Sequence, residues 1–325
     1  MKQINKHLDR IVRFCRDYGG LAVAHCRRWW HRAQVWYVNH WPDIRRRLVL
    51  YARLARMDKP IGALLLLWPT LWALWIAAEG LPSLHLFLVF TIGTFLARSA
   101  GCAVNDFADR EIDPHVARTV GRPLATGEVR PREAITVAGA LLLLAFLLVL
   151  TTDRFTVLLS LGAIPLLAVY PYMKRHTYIP QFFLGLAFSW GIPMAFAAQA
   201  GELTSITWLL YVANVLWVVI FDTIYAMVDR EYDIRIGVKS TAILFADADR
   251  AIIGIMQAML LAALVILGRQ LQLDWIYYLF LLLVAGIMLY HQYLIRNRVP
   301  EECFRAFLNN NWLGAAVFAG LFFSY

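Results

Sequence analysis

Charge is scarce in this chain. Of its 325 residues, 16% are Asp, Glu, Lys or Arg, and 60% are hydrophobic. Ordinary soluble domains carry about a quarter charged residues. With a mean hydropathy of +0.57, the chain is too apolar for a single soluble core. Cysteine is scarce too. Cys15, Cys26, Cys102 and Cys303 show no Cys-x-x-Cys spacing, which excludes a disulfide framework and a cysteine zinc site. None of the eight histidines forms a His-x-x-x-His pair. A bound metal would therefore need oxygen ligands, as magnesium or calcium does. Acid is the scarcer sign, with 22 Asp and Glu against 31 Lys and Arg. The basic surplus lies between apolar runs, which is the mark of membrane topology and not of nucleic-acid binding.

What the chain has is long apolar runs. A helix needs about 20 such residues to cross the hydrocarbon core. Nine stretches qualify: 60–79, 84–105, 134–152, 155–173, 181–200, 206–228, 251–268, 274–295 and 304–324. The expected fold is all-α and polytopic. Placing the N-terminus in the cytoplasm puts 28 of the 31 Lys and Arg residues inside, with Arg154 and Arg269 outside and Arg98 within a span. That bias fixes the expected orientation. Residues 1–52 are basic and rich in Trp, His and Tyr, as in CRRWWHRAQVWYVNHW. They lack the apolar core and cleavage site of a secretory signal. They read as a basic amphipathic extension on the anionic leaflet, ahead of a transmembrane domain at 53–325.

The few acids are concentrated. The second span runs into NDFADREID, with Asn105, Asp106, Asp109 and Asp113. The sixth runs into DREYD, with Asp229 and Asp233 below Asp222. The Asp-Arg-Glu-x-Asp pattern thus recurs at an offset of 120 residues, four spans later. This predicts two four-helix halves plus a ninth helix. Spacings of four, three, four and four place Arg98, Cys102, Asn105, Asp109 and Asp113 on one stripe of a helix extended to Pro114. Asp222, Asp229 and Asp233 form a second stripe. Like charges at i,i+4 repel, so two facing acidic stripes call for cations. Magnesium fits, because it takes one or two carboxylates and completes its shell with substrate phosphate oxygens. The bases Arg118, Arg122, Lys174, Arg175 and Lys239 are placed to take phosphate charge as well.

Arg98 differs from the other bases. It sits inside a span, ~12 Å above Asp106 along the helix. An intramembrane arginine is costly and marks a functional position. It either pairs with a carboxylate of a neighbouring helix or receives an anionic group of a substrate.

These motifs resemble the UbiA superfamily of intramembrane aromatic prenyltransferases. NDFADREID matches the family's Asn-Asp-x-x-Asp-x-x-x-Asp signature, and DTIYAMVDREYD its second aspartate motif. RMDKPIGALLLLWPTLWAL, YPYMKRHTYIPQFFLG, WGIPMAF and GVKSTAILF are similar to the bacterial branch that acts on 4-hydroxybenzoate. The resemblance covers residues 53–325. It implies nine helices around a central cavity in a bacterial inner membrane, with the active-site loops cytoplasmic. It implies magnesium-dependent transfer from polyprenyl diphosphate to C3 of 4-hydroxybenzoate in ubiquinone biosynthesis. Asn105, Asp106, Asp109 and Asp113 would form one metal–diphosphate cluster. Asp222, Asp229 and Asp233 would form the other, with metal at Asp229 and Asp233. Arg118, Arg122, Tyr172, Lys174 and Lys239 fall where the family holds diphosphate. Arg98 matches a basic residue near the acceptor carboxylate. Tyr232 stands where many relatives carry Asp.

Three alternatives remain beside this one. Another aromatic acceptor is compatible with the same motifs. A CDP-alcohol phosphotransferase would need a glycine at Pro114 and aspartates at Pro131 and Ile135. A transporter would keep its key charges near the midplane, whereas these acids lie at helix ends.

Overall fold

The structure is a computed structural model that describes residue 9, residues 20–115 and residues 119–325. It divides into two units, residues 1–51 and 52–325. Helix α1, Gly20–Leu54, makes up most of what is described of the first unit. Its Trp36 ring stacks on His40, and Tyr37 on Trp41. All four are exposed.

The second unit holds α2 (Ile61–Ala77), α3 (Leu84–Ala108), α4 (Pro131–Val149), α5 (Arg154–His176), α6 (Pro180–Ser189) and α7 (Gly191–Ala200). It continues with α8 (Ser205–Ile236), α9 (Thr241–Phe245), α10 (Asp249–Gln270), α11 (Trp275–Leu294) and α12 (Pro300–Ser324). The described residues contain no strand. Eight helical segments are long and apolar enough to cross a membrane. The ninth, α2, has 17 residues, at the short end of the spanning range. The nine expected spans are therefore all helical, and the chain is a polytopic membrane protein.

Three boundaries differ from the sequence expectation. The stretch 181–200 is two helices, α6 and α7, parted at Trp190. Pro193 has no N–H to bond the carbonyl of Ser189, so the ladder breaks there. The sixth span continues to Ile236, so DREYD lies on α8 itself, which Gly237 ends in a left-handed turn (φ +74°). Conversely, α3 ends at Ala108, and Asp109 is its cap with ψ near 4°. The expected helix extension to Asp113 is thus a turn and a short 3₁₀ segment, Asp113–His115. One i→i−4 bond survives, from Asp113 N–H to the Asp109 carbonyl at 2.8 Å.

The core sits around α8, 61% of whose apolar window is buried, against 17% for α4 and 11% for α5. The latter two leave their apolar faces outward, as lipid-facing helices do. Trp72 of α2 stacks on Trp217 of α8 with centroids 5.1 Å apart. Both indole N–H groups are satisfied by α12. Trp72 donates to the Gly314 carbonyl at 3.0 Å, and Trp217 to Asn310 Oδ1 at 3.0 Å. Gly314 has no room for a side chain, since a Cβ there would lie 2.5 Å from Trp68 and 2.7 Å from Trp217.

Candidate active site

The end of α3 brings three acids inside the protein. Asp106, Asp109 and Asp113 are only 1%, 3% and 4% exposed. Burying carboxylates is costly unless they are paired, and each is paired. Asp106 Oδ1 accepts from Arg56 at 2.8 Å and from Arg122 at 3.1 Å. Asp113 Oδ2 accepts from the same Arg122 nitrogen at 2.8 Å. Asp109 Oδ2 accepts from Lys174 at 2.5 Å and from the Asn105 amide at 3.1 Å. Burial pushes the Asp113 carboxyl above its usual range, although the Arg122 guanidinium opposes the shift.

The other oxygens of two of these acids are different. Asp106 Oδ2 and Asp109 Oδ1 are buried and accept no hydrogen bond from the described residues. Unsatisfied buried carboxylate oxygens call for an explanation. They are hard donors of the type magnesium takes, with substrate oxygens completing its shell. Among the described residues, however, no three His, Cys, Asp or Glu side chains converge on one point. Arg56, Arg122 and Lys174 are interleaved among the acids.

The end of α5 reaches the first acidic motif and the loop that follows the second. Lys174 bonds Asp109, and Arg175 donates to the Ala108 carbonyl at 2.5 Å. On the other side, the Lys239 N–H donates to the Lys174 carbonyl at 3.0 Å, and Lys239 Nζ to the His176 carbonyl at 3.3 Å. Lys239 also lies over the Tyr178 ring at 5.3 Å. Asp222, Asp229 and Asp233 line α8 and are half-buried. Tyr172 is 37% exposed, with the Arg175 guanidinium over its ring at 5.7 Å. Arg118 lies outside the described residues.

Arg98 makes no ion pair among the described residues. Its Nε donates to the Gly62 carbonyl at 3.3 Å, and Nη1 contacts Cys102 Sγ. Its guanidinium lies 5.8 Å from the Phe188 ring centre. Of the two readings open from the sequence, pairing with a helix carboxylate is excluded within the described residues.

The sequence reading missed two features. Arg56, three residues before Lys59-Pro60 at the start of α2, carries no motif of its own in the sequence. Asp249, fully buried, was not singled out. Arg298 grips both its oxygens at 2.7–3.1 Å, and Arg230, next to Asp229, reaches it at 3.3 Å. This clasp ties the 237–249 loop to α8 and to the start of α12.

The family model for the UbiA prenyltransferase family matches residues 66–318. The chain belongs to that family. Its UbiA relatives include 4-hydroxybenzoate octaprenyltransferase from Marinobacter nauticus, 57% identical over 86% of this chain and 95% of that one. The protein of the same name from Photobacterium profundum is 52% identical over 83% and 94%. Among solved structures, the apo form of a UbiA homolog from Aeropyrum pernix K1 superposes with a TM-score of 0.71. It is 25% identical, covering 79% of this chain and 96% of that one. A UbiA homolog from Archaeoglobus fulgidus bound to GPP and Mg2+ shares the fold, with a TM-score of 0.63 at 19% identity over 84% and 99%.

Proposed function

We propose that this protein transfers a polyprenyl group from polyprenyl diphosphate to C3 of 4-hydroxybenzoate, releasing diphosphate, in ubiquinone biosynthesis. The names of its relatives support this reading and make an octaprenyl diphosphate the donor to test first. The observation that carries it is the pairing of two unlike sites on α3. Below are buried acids with interleaved cations. About two turns above is an intramembrane arginine with no acidic partner among the described residues. The first suits a metal-bound diphosphate and the second an aromatic carboxylate.

In this reading Arg122, Lys174 and Lys239 bind diphosphate oxygens, with Arg118 and Tyr172 assigned to the same task. Asn105, Asp106, Asp109, Asp113, Asp229 and Asp233 hold magnesium, with Asp222 beside them. Bound there, magnesium supplies positive charge to oxygens that gain negative charge as the diphosphate leaves. The C–O bond breaks with its electron pair going to the diphosphate. The ring, activated by its phenol, gives an electron pair from C3 to the allylic carbon and then loses the C3 proton. Arg98 holds the acceptor carboxylate and so fixes which ring carbon faces the donor. The segments at 106–133 and 229–250 exclude water, which would otherwise capture the allylic cation.

The site is assigned to the cytoplasmic face of a bacterial inner membrane by the loop charges. Residues 1–52 are assigned to a separate extension on that surface, ahead of the prenyltransferase domain at 53–325. Asp109→Ala and Asp229→Ala are each expected to abolish turnover in magnesium buffer while the protein remains folded. Full activity of either would sink the metal–diphosphate assignment.

A further inference from the structure

The end of α8 carries Asp229 and Asp233 beyond the core. Past Met227, none of the described residues of α8 is buried, so side-chain burial does little to fix its last turns. Helix ends fray unless something ties them down. Arg230, next to Asp229, supplies a tie. Its Nη1 donates at 3.3 Å to Asp249, which is fully buried at the start of α10. Asp249 also accepts from the Arg250 N–H at 2.7 Å, and the first turn of a helix favours an acid there. Arg298, between α11 and α12, donates to it from Nε and Nη2 at 2.7–3.1 Å. Both Asp249 oxygens are thus taken by guanidinium groups, which makes it an anchor and not a further metal ligand.

The clasp holds strained backbone. Arg298 has φ +54° and Ala246 φ +47°, both in the left-handed region that residues with a side chain rarely adopt. Each belongs to the clasp, because Arg298 Nη2 also donates at 2.8 Å to the carbonyl of Asp247, the residue after Ala246. Such strain persists only where the surroundings fix it, and it gathers at functional sites. Lys239, earlier in the same loop, has anchors of its own. Its N–H bonds the Lys174 carbonyl of α5. Two residues on, the Thr241 N–H donates to Gln181 Oε1 of α6 at 3.1 Å, and the Thr241 hydroxyl lies 2.6 Å from that of Thr223 on α8. Loss of the clasp is therefore felt at the end of α8 before it is felt at Lys239.

We propose that Arg230 and Asp249 are positioning residues for the reaction. Arg298 fixes Asp249, Asp249 fixes Arg230, and Arg230 holds Asp229 and Asp233 in the arrangement that binds magnesium–diphosphate. Outer partners of this kind tune metal affinity without touching the metal. This rests on the reading that Asp229 and Asp233 hold magnesium.

The test uses the full chain in detergent, with two readouts. One is the thermal shift produced by magnesium with inorganic diphosphate, which reports an apparent affinity without turnover. The other is steady-state kinetics with magnesium, polyprenyl diphosphate and 4-hydroxybenzoate varied separately. Arg230→Gln cuts the link to α8 and leaves Arg298 on Asp249, so the variant is expected to fold. It should weaken magnesium–diphosphate binding about tenfold by both readouts, as loss of an outer partner does. KM for 4-hydroxybenzoate should stay within about twofold. Arg230→Lys, which can still make one charged bond, should recover most of the affinity, and a lysine no better than glutamine overturns the role. So does a glutamine variant that lowers only thermal stability or kcat, or that raises all constants equally. Asp229→Asn separates that failure from failure of the metal reading. If it weakens magnesium–diphosphate binding while Arg230→Gln is silent, the metal reading stands and the positioning role falls. If it leaves that binding unchanged, both fall.

Discussion

Arg122 is the hinge of the site at the scale of single residues. One nitrogen serves both Asp106 and Asp113, and its side chain is 19% exposed. Removing one partner of a buried ion pair costs about 3–5 kcal/mol, because the other charge remains buried. Arg122→Ala is therefore expected to lower stability by about 3 kcal/mol in metal-free buffer, measured by thermal unfolding in detergent. Magnesium with inorganic diphosphate should recover part of that loss. The acids were legible in the sequence because Asn105, Asp106, Asp109 and Asp113 are polar residues at fixed spacing against an apolar background. Arg56 was not, because a base among the 14 Lys and Arg residues of 1–59 carries no local sign of its partner. Its acid lies 50 residues away, and only the fold brings the two together.

At the scale of elements, the end of α5 links the first acidic motif to the loop that follows the second. Helical spacing alone gave two acidic stripes that make a site if their helices face each other. It did not reveal Lys174 and Arg175 reaching the end of α3 while their backbone holds Lys239. Spacing also overextended α3, because periodicity cannot register a cap at Asp109 when the residues after it keep a compatible pattern. The break at Trp190 was hidden for a related reason, since proline is tolerated in membrane helices. Two predictions belong here. Asp249→Ala removes the acid that Arg230 and Arg298 share. It should cost about 3–5 kcal/mol and make the 237–249 loop more accessible to limited proteolysis. Asp153 caps α5, accepting from the N–H groups of Phe155 and Thr156 at 2.8 and 3.0 Å. Desolvation opposes ionisation, but the hydrogen bonds from Thr156 and Phe155 outweigh it and hold the carboxyl below its usual range. A depressed folded pKa means the contribution is present above the ordinary carboxylate range and lost as pH falls through the folded value. Asp153→Ala should cost about 1 kcal/mol near neutrality and less in acid, whereas Asp153→Asn should cost little.

At the scale of the molecule, composition and loop charge were enough to place nine apolar helices, because the bilayer imposes length and polarity directly on sequence. Which helices would be central was not legible. α4, α5 and α8 are all apolar, and only packing separates the outward faces of the first two from the buried α8. The reading also predicts a global linkage. Magnesium with diphosphate binds the folded site only, so at 100 times its dissociation constant it should add about 2.7 kcal/mol of stability. A chelator should remove that gain.

The central claim is prenyl transfer to 4-hydroxybenzoate, and its most direct test is the product. Purified protein in lipid would receive radiolabelled 4-hydroxybenzoate and octaprenyl diphosphate, with magnesium present or chelated. The account predicts that label passes into a lipid-soluble product, with one diphosphate released per labelled molecule, and that both stop on chelation. Diphosphate release without any labelled lipid product, or product formation undiminished by chelator, would contradict it.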